Sequence, residues 1–78
     1  QSLKVFVAGL NGMMENMTLR KIQTVRRGMI NLFGRSTYYR FMRKEKWLNT
    51  NEQQKVHQLF EELGMLDELV YDHERKGF

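Results

Sequence analysis

The feature that most restricts the fold is the spacing of apolar residues, which recur every three or four positions along most of the 78-residue chain. That spacing places them on one face of an α-helix rather than on one face of a strand. The chain has no proline and only six glycines, so it has few of the turn-forming residues that separate the strands of small β-sandwiches and barrels. Its length leaves room for one hydrophobic core. We therefore expect one all-α domain over residues 1–78, a compact bundle of four to five short helices.

The first apolar stripe begins at Leu3 and favours a helix to about residue 16. Gly9 and Gly12 lie within this segment and would weaken that helix without ending it. A short strand over residues 3–8 is the alternative, because β-branched and aromatic residues there favour extended structure, and such a strand could pair with a second chain. Helix is the favoured interpretation, and the strand stays open.

Capping residues delimit the second and third helices. Thr18 can accept a hydrogen bond from an otherwise unpaired backbone N–H, so it begins the second helix, which ends at Gly34. Gly28 lies inside this helix, where it would permit close approach of another helix. Ser36 or Thr37 caps the third helix, which runs to about residue 46.

The last third of the chain contains one clear helix. Thr50 and Gln53 fit a capping box, and Gly64 stops the fourth helix that this box begins. Residues 65–70 form a short fifth helix or an extended arm. The tail, residues 73–78, has no apolar pattern, and we expect it to be disordered.

Charge is distributed unevenly along the chain. Residues 20–46 contain nine basic residues and one acidic residue, a net charge of +8, whereas residues 47–78 contain three basic and seven acidic residues, a net charge of −4. A solvated helix surface normally mixes the two signs. The basic segment therefore indicates a surface that binds an anionic partner.

Groups that could support catalysis or bind a metal are sparse. The chain has no cysteine, which excludes thiolate zinc sites, and its two histidines, His57 and His73, are far apart. His57 and Glu61 stand one helical turn apart, but two ligands do not make a metal site. No glycine-rich phosphate loop, serine elbow or paired-carboxylate pocket is visible. We expect a protein that is not an enzyme and has no metal or other cofactor.

Apolar runs are short. None approaches the ~18 residues that a membrane-spanning helix requires, and the first residues lack the charged start and long apolar run of a signal peptide. The absence of cysteine is compatible with a reducing compartment. We therefore expect a cytoplasmic protein without membrane contact.

Residues 25–47 (VRRGMINLFGRSTYYRFMRKEKW) carry the most specific pattern, a helix, a tight glycine turn and a second helix that opens with hydroxyl residues. Short polar side chains at a helix N-terminus can reach base edges in the DNA major groove, while basic residues at its rims hold phosphates. Residues 36–43 (STYYRFMR) resemble the opening of recognition helices in bacterial helix-turn-helix regulators, and are most similar to small regulators of phages and other mobile elements. The resemblance covers about 25 residues.

The resemblance implies a helix-turn-helix over about residues 19–46 that binds double-stranded DNA in a sequence-specific way, most simply as a transcriptional regulator. The residues implied to face DNA bases are Arg35, Ser36, Thr37, Tyr39, Arg40 and Arg43. The candidates for phosphate contacts are Arg20, Lys21, Arg26, Arg27, Lys44 and Lys46. Arginine bidentate to guanine is the commonest specific contact, which favours Arg40 or Arg43 as the main reader. The turn is about one residue shorter than is usual in that family.

Two other functions fit the same basic segment. One is a protein-interaction module, a small adaptor whose basic face binds an acidic partner. The other is an RNA-binding helical domain, because basic helices with aromatic residues can also bind single-stranded RNA. A module of this size contacts few base pairs, so a homodimer on a two-fold DNA site is a further hypothesis, with the first helix or residues 65–70 as its interface.

Overall fold

The computed structural model describes residues 4–77. In chain order the elements are β1 (Lys4–Ala8), α1 (Asn11–Met14), α2 (Leu19–Phe33), α3 (Arg35–Met42), α4 (Thr50–Glu62), a 3₁₀ helix (Leu66–Glu68) and β2 (His73–Gly77). The strands β1 and β2 form a two-stranded antiparallel sheet. The protein is therefore a small α/β domain, and the prediction of an all-α bundle is wrong.

The sheet joins the two ends of the described chain. Lys4 pairs with Gly77 and Ala8 with His73, so the segment favoured as helix is a strand for five residues, and only α1 remains of the expected first helix. The tail was expected to be disordered, yet residues 73–77 form β2. Leu3 and Phe78, which also belonged to these predictions, lie outside the described residues.

Strand β1 is held on both of its edges. On the edge away from β2, Val7 donates to the carbonyl of Leu48 (3.2 Å) and accepts from the N–H of Leu48 (2.8 Å). The side-chain amide of Gln53 donates to the carbonyls of Val5 (2.6 Å) and Leu48 (3.1 Å). With Val7 only 2% exposed, β1 is the buried strand of the sheet, and β2 lies outside it.

Helix α2 has the ends that the sequence predicts. The hydroxyl of Thr18 accepts from the N–H of Lys21 (3.3 Å), and Gly34 follows the last turn with φ of 89°. That left-handed conformation favours glycine. Gly28 lies against Leu59 of α4, which confirms that a glycine there permits a close helix contact.

Helix α3 differs from its prediction at both ends. It begins at Arg35, directly after Gly34, and neither Ser36 nor Thr37 caps it. It ends at Met42 rather than near residue 46. The chain turns there because Lys44 adopts a positive φ of 65° and the N–H of Lys46 donates back to the carbonyl of Arg40 (3.2 Å).

Helix α4 begins with a capping box one residue earlier than predicted. The side chain of Asn49 accepts from the N–H of Glu52 (2.9 Å), and the Glu52 carboxylate accepts from the N–H of Asn49 (2.9 Å). Thr50 is the first residue of the helix rather than its cap. Gly64, with φ of 70°, follows the last turn as expected.

The core lies between α2, α3, α4 and the inner strand. Its buried members are Val7, Leu10, Met13, Met14, Val25, Met29, Tyr38, Phe41, Leu48, Val56, Phe60 and Met65. The methionines of α1 are thus core residues, and the Tyr38 side chain of α3 is buried with them. Between residues 4 and 77, no helix is both long and apolar enough to cross a membrane.

Candidate nucleic-acid interface

The twelve predicted contact residues fall on three parts of the chain. Helix α2 carries Arg20, Lys21, Arg26 and Arg27. Helix α3 carries Arg35, Ser36, Thr37, Tyr39 and Arg40. Arg43, Lys44 and Lys46 lie in the turn after α3. All are exposed except Thr37 and Lys46, which are half-buried, so the basic segment forms the outer surface of two helices.

Four of these residues line one groove between α2 and α3. Arg26 and Arg27 come from α2, and Arg35 and Tyr39 come from α3. The groove has a volume of about 490 Å³ and is completed by Gln23, Ile30 and Asn31. Its lining contains three guanidinium groups and no carboxylate. Such a surface suits an anion that accepts several hydrogen bonds, as a phosphate does.

Helical spacing explains why these residues meet. Gln23, Arg27 and Asn31 are four residues apart along α2 and so lie on one face of that helix, and Arg20 extends the same face toward its N-terminus. Arg35 and Tyr39 have the same spacing on α3. Because Gly34 alone joins the two helices, the start of α3 stays close to the end of α2 and the two faces border one groove.

Tyr39 rests on the buried Tyr38. Their rings meet edge to face with centroids 5.1 Å apart, while Tyr39 remains 37% exposed. Burial raises the pKa of Tyr38, and the guanidinium of Arg26 beside it partly opposes that rise. Tyr38 therefore packs in the core as a neutral phenol and supports both Tyr39 and Arg26 at the groove.

Ion pairs divide the predicted contact residues into two groups. Four of them are bound to acids, in the pairs Lys21–Glu68 (3.3 Å), Arg43–Glu45 (3.0 Å), Lys44–Asp72 (4.0 Å) and Lys46–Glu52 (3.4 Å). Within residues 4–77, none of the three groove arginines has such a partner, and neither do Arg20 and Arg40. Unneutralised positive charge is thus concentrated on α2 and on α3 itself.

Arg43 is bound to Glu45 in solvent. Its guanidinium donates to the carboxylate, and these hydrogen bonds lower the pKa of Glu45. Exposed pairs of this kind contribute little to stability because water and salt screen them. Arg43 could therefore exchange Glu45 for another anion, whereas Arg40 has no ion pair to break among the described residues.

Ser36 and Thr37 stand apart from the groove. They lie in the first turn of α3, outside the groove lining, and neither side chain caps the helix. The single-residue connection at Gly34 is also shorter than the three- or four-residue turn of helix-turn-helix proteins. The structure thus brings together two of the predicted base contacts and two of the predicted phosphate contacts.

Two sets of polar side chains were missed by sequence reasoning, and one of them lies in the groove. Gln23 and Asn31 line the groove, and their spacing with Arg27 was the signal that could have identified them. Asp72 accepts hydrogen bonds from the backbone N–H groups of Asn11 (2.9 Å) and Gly12 (2.7 Å). Burial alone would raise the pKa of Asp72, but these bonds lower it overall. No local pattern revealed that contact.

Metal ligands are not clustered in the described part of the chain, where no three of His, Cys, Asp and Glu come together. A search of curated proteins and a search of solved structures returned no significant match. One family model matches, over residues 1–78, and its description is "Family of unknown function (DUF6078)". The chain belongs to that family.

Proposed function

We propose that this protein binds double-stranded DNA through the basic face of α2 and α3, as a transcriptional regulator in the cytoplasm. The observation that carries the proposal is the groove in which Arg26, Arg27 and Arg35 meet without a carboxylate in the lining. A DNA backbone presents phosphates at regular intervals, and arginine forks bind such oxygens in pairs of hydrogen bonds.

The groove would hold the phosphate backbone, and the exposed side of α3 would face the bases. Arg26 and Arg27 anchor the backbone from α2, and Arg35 does so from the start of α3. Arg40 lies further along α3 and is exposed, so it is the residue we assign to base reading. Arg43 is the second reader, after it exchanges its pair with Glu45.

The proposal is tested by fluorescence anisotropy of a labelled random-sequence duplex over a salt series. The variant Arg27→Ala/Arg35→Ala removes two groove charges. The matched control Lys4→Ala/Lys55→Ala removes two exposed charges from other surfaces. For B-DNA, each lost phosphate contact lowers the slope of log K against log salt by about 0.9, so the groove variant should lose nearly two slope units.

The control should keep the slope of the wild type. Absence of duplex binding at about 50 mM salt by the folded protein, or equal losses in both double variants, would contradict the proposal. Competition experiments with other ligands distinguish DNA from the two alternative partners. Preferential displacement by single-stranded RNA would assign the groove to RNA, and displacement by an acidic peptide alone would assign it to a protein partner.

A further inference from the structure

Strand β2 has one free edge. Its strand partner is β1, and over residues 4–77 no other strand lies beside it. The side chains of residues 73–76 are all exposed. An edge of this kind presents unpaired N–H and C=O groups that another strand can use.

The backbone groups at that edge can be assigned from β1. Val7 uses both its N–H and its C=O to bond Leu48, so these groups point away from β2. In an antiparallel ladder, residues directly opposite each other either exchange both hydrogen bonds or exchange none. Glu74 lies opposite Val7. The N–H and C=O of Glu74 therefore point outward, to the free edge.

The same alternation extends to the end of the strand. The carbonyl of Val5 accepts from Gln53, so it too points away from β2, and Lys76 lies opposite Val5. Lys76 therefore also presents its backbone groups at the free edge. Arg75, between them, directs its own toward β1. The free edge thus consists of one acidic and one basic residue with both backbone groups available.

We propose that β2 pairs antiparallel with β2 of a second copy, about a two-fold axis at Arg75, to form a four-stranded sheet in the order β1-β2-β2-β1. In this register Glu74 of each copy lies opposite Lys76 of the other copy. Both are residues whose backbone groups point outward, so the two pairs exchange four hydrogen bonds. Each of the two pairs also brings a glutamate side chain of one copy opposite a lysine side chain of the other. The proposal does not depend on DNA binding.

Arg75 removes the main objection to this register, which is that it places two arginines directly opposite each other. The guanidinium of Arg75 lies 4.9 Å from the ring centroid of Trp47. Trp47 precedes Leu48, which pairs with β1 on the edge away from β2. Arg75 therefore extends across β1 to a cation–π contact and away from the axis.

The interface expected from five-residue strands is small. It falls below the roughly 1,200–2,000 Å² of total buried surface that stable complexes need, so we expect weak association at high protein concentration. Sedimentation velocity of the full chain without DNA, over a concentration series up to about 1 mM, measures it.

Charge reversal gives the decisive variants. Glu74→Lys places two basic residues opposite each other twice, and Lys76→Glu does the same with acidic residues. Each variant alone should associate about tenfold more weakly than the wild type, because two favourable cross-strand pairs become repulsive. An equimolar mixture of the two should associate again, since every pair then has opposite signs. The matched control Lys55→Glu should behave as the wild type.

A backbone variant separates the register from charge when it is compared with Lys76→Ala, which removes the same charge but keeps the backbone N–H. Lys76→Pro removes an N–H that points to the free edge, so association should be lost while the circular dichroism of the folded protein is kept. A wild-type monomer at the highest concentration would overturn the proposal. So would single variants that associate like the wild type, or a mixture that fails to associate.

Discussion

Gly28 of α2 lies so close to Leu59 of α4 that a β-carbon at position 28 would stand 2.7 Å from the Leu59 Cδ1 atom. Both Cδ atoms and the Cγ atom of Leu59 fall within 3.3 Å of that point. The whole branch of the leucine therefore occupies the space that a side chain would need. This contact sets how closely the two longest helices approach.

Gly28→Val should destabilise the protein. Valine gains only part of the ~1 kcal/mol that separates glycine from alanine in a helix, whereas overpacking against Leu59 costs about 1–3 kcal/mol. We expect a net loss of about 1–2 kcal/mol in the free energy of unfolding, measured by urea denaturation. The control Gln54→Val, at an exposed position of α4, should change stability by about 0.5 kcal/mol at most. Equal effects at the two positions would contradict the tight contact.

Asn49→Ala should cost about 1 kcal/mol of unfolding free energy, because it removes the side chain that caps α4. Thr50→Ala is the matched control, since Thr50 is already inside the helix and caps nothing. Its effect should lie within about 0.5 kcal/mol of zero. A larger loss at Thr50 than at Asn49 would return the capping box to the position that the sequence suggested.

Asp72 should make stability sensitive to acid. Its pKa in the folded protein is lowered from the ordinary 3.8 by hydrogen bonds from Asn11 and Gly12. A lowered folded pKa gives stability that is present above the unfolded pKa and is lost as the pH falls from there through the folded value. Asp72→Asn should therefore flatten the loss of unfolding free energy below about pH 4, measured by urea denaturation at several pH values. An unchanged pH profile would show that these hydrogen bonds do not favour the ionised form.

Arg40 and Arg27 should affect DNA binding in different ways. On a site selected from a random pool, Arg40→Ala should cost about 1–3 kcal/mol and relax preference at one base pair, as expected for a base contact. Arg27→Ala should weaken binding by a similar factor on every sequence and lower the salt slope, as expected for a phosphate contact. Anisotropy titrations on the selected site and on single-base variants measure both. Uniform loss for Arg40→Ala would reassign it to the backbone.

Local signals in the sequence predicted both ends of α2. Thr18 and Gly34 bound α2 because each acts through its own backbone neighbours, and such effects can be read from a short window. The capping box of α4 could not be placed in that way. Asn49 and Thr50 are both good caps, and each has a glutamate or glutamine three residues later. The choice was made by tertiary contacts, because the Gln53 amide bonds the carbonyls of Val5 and Leu48.

The pairing of β1 with β2 was missed because it, too, depends on tertiary contacts. Strand β2 has the sequence HERKG, which contains no apolar side chain, so nothing in its sequence favours a strand over a disordered tail. It forms by backbone pairing with β1, at the opposite end of the described chain. The basic segment predicted a binding surface, but which of its basic residues are paired with an acid depends on distant partners, such as Glu68 for Lys21 and Asp72 for Lys44. Sequence alone cannot place those residues.

The pairing of Lys4 with Gly77 also determines the order in which the molecule can fold. Helices form from local contacts in microseconds, whereas joining the ends of a long segment first requires the loss of its chain entropy. We therefore expect α2 and α4 to associate early and the sheet to close late. Once closed, the sheet ties β1 and β2, at the two ends of the described residues, to the core, so that fraying of either strand must break contacts of the other.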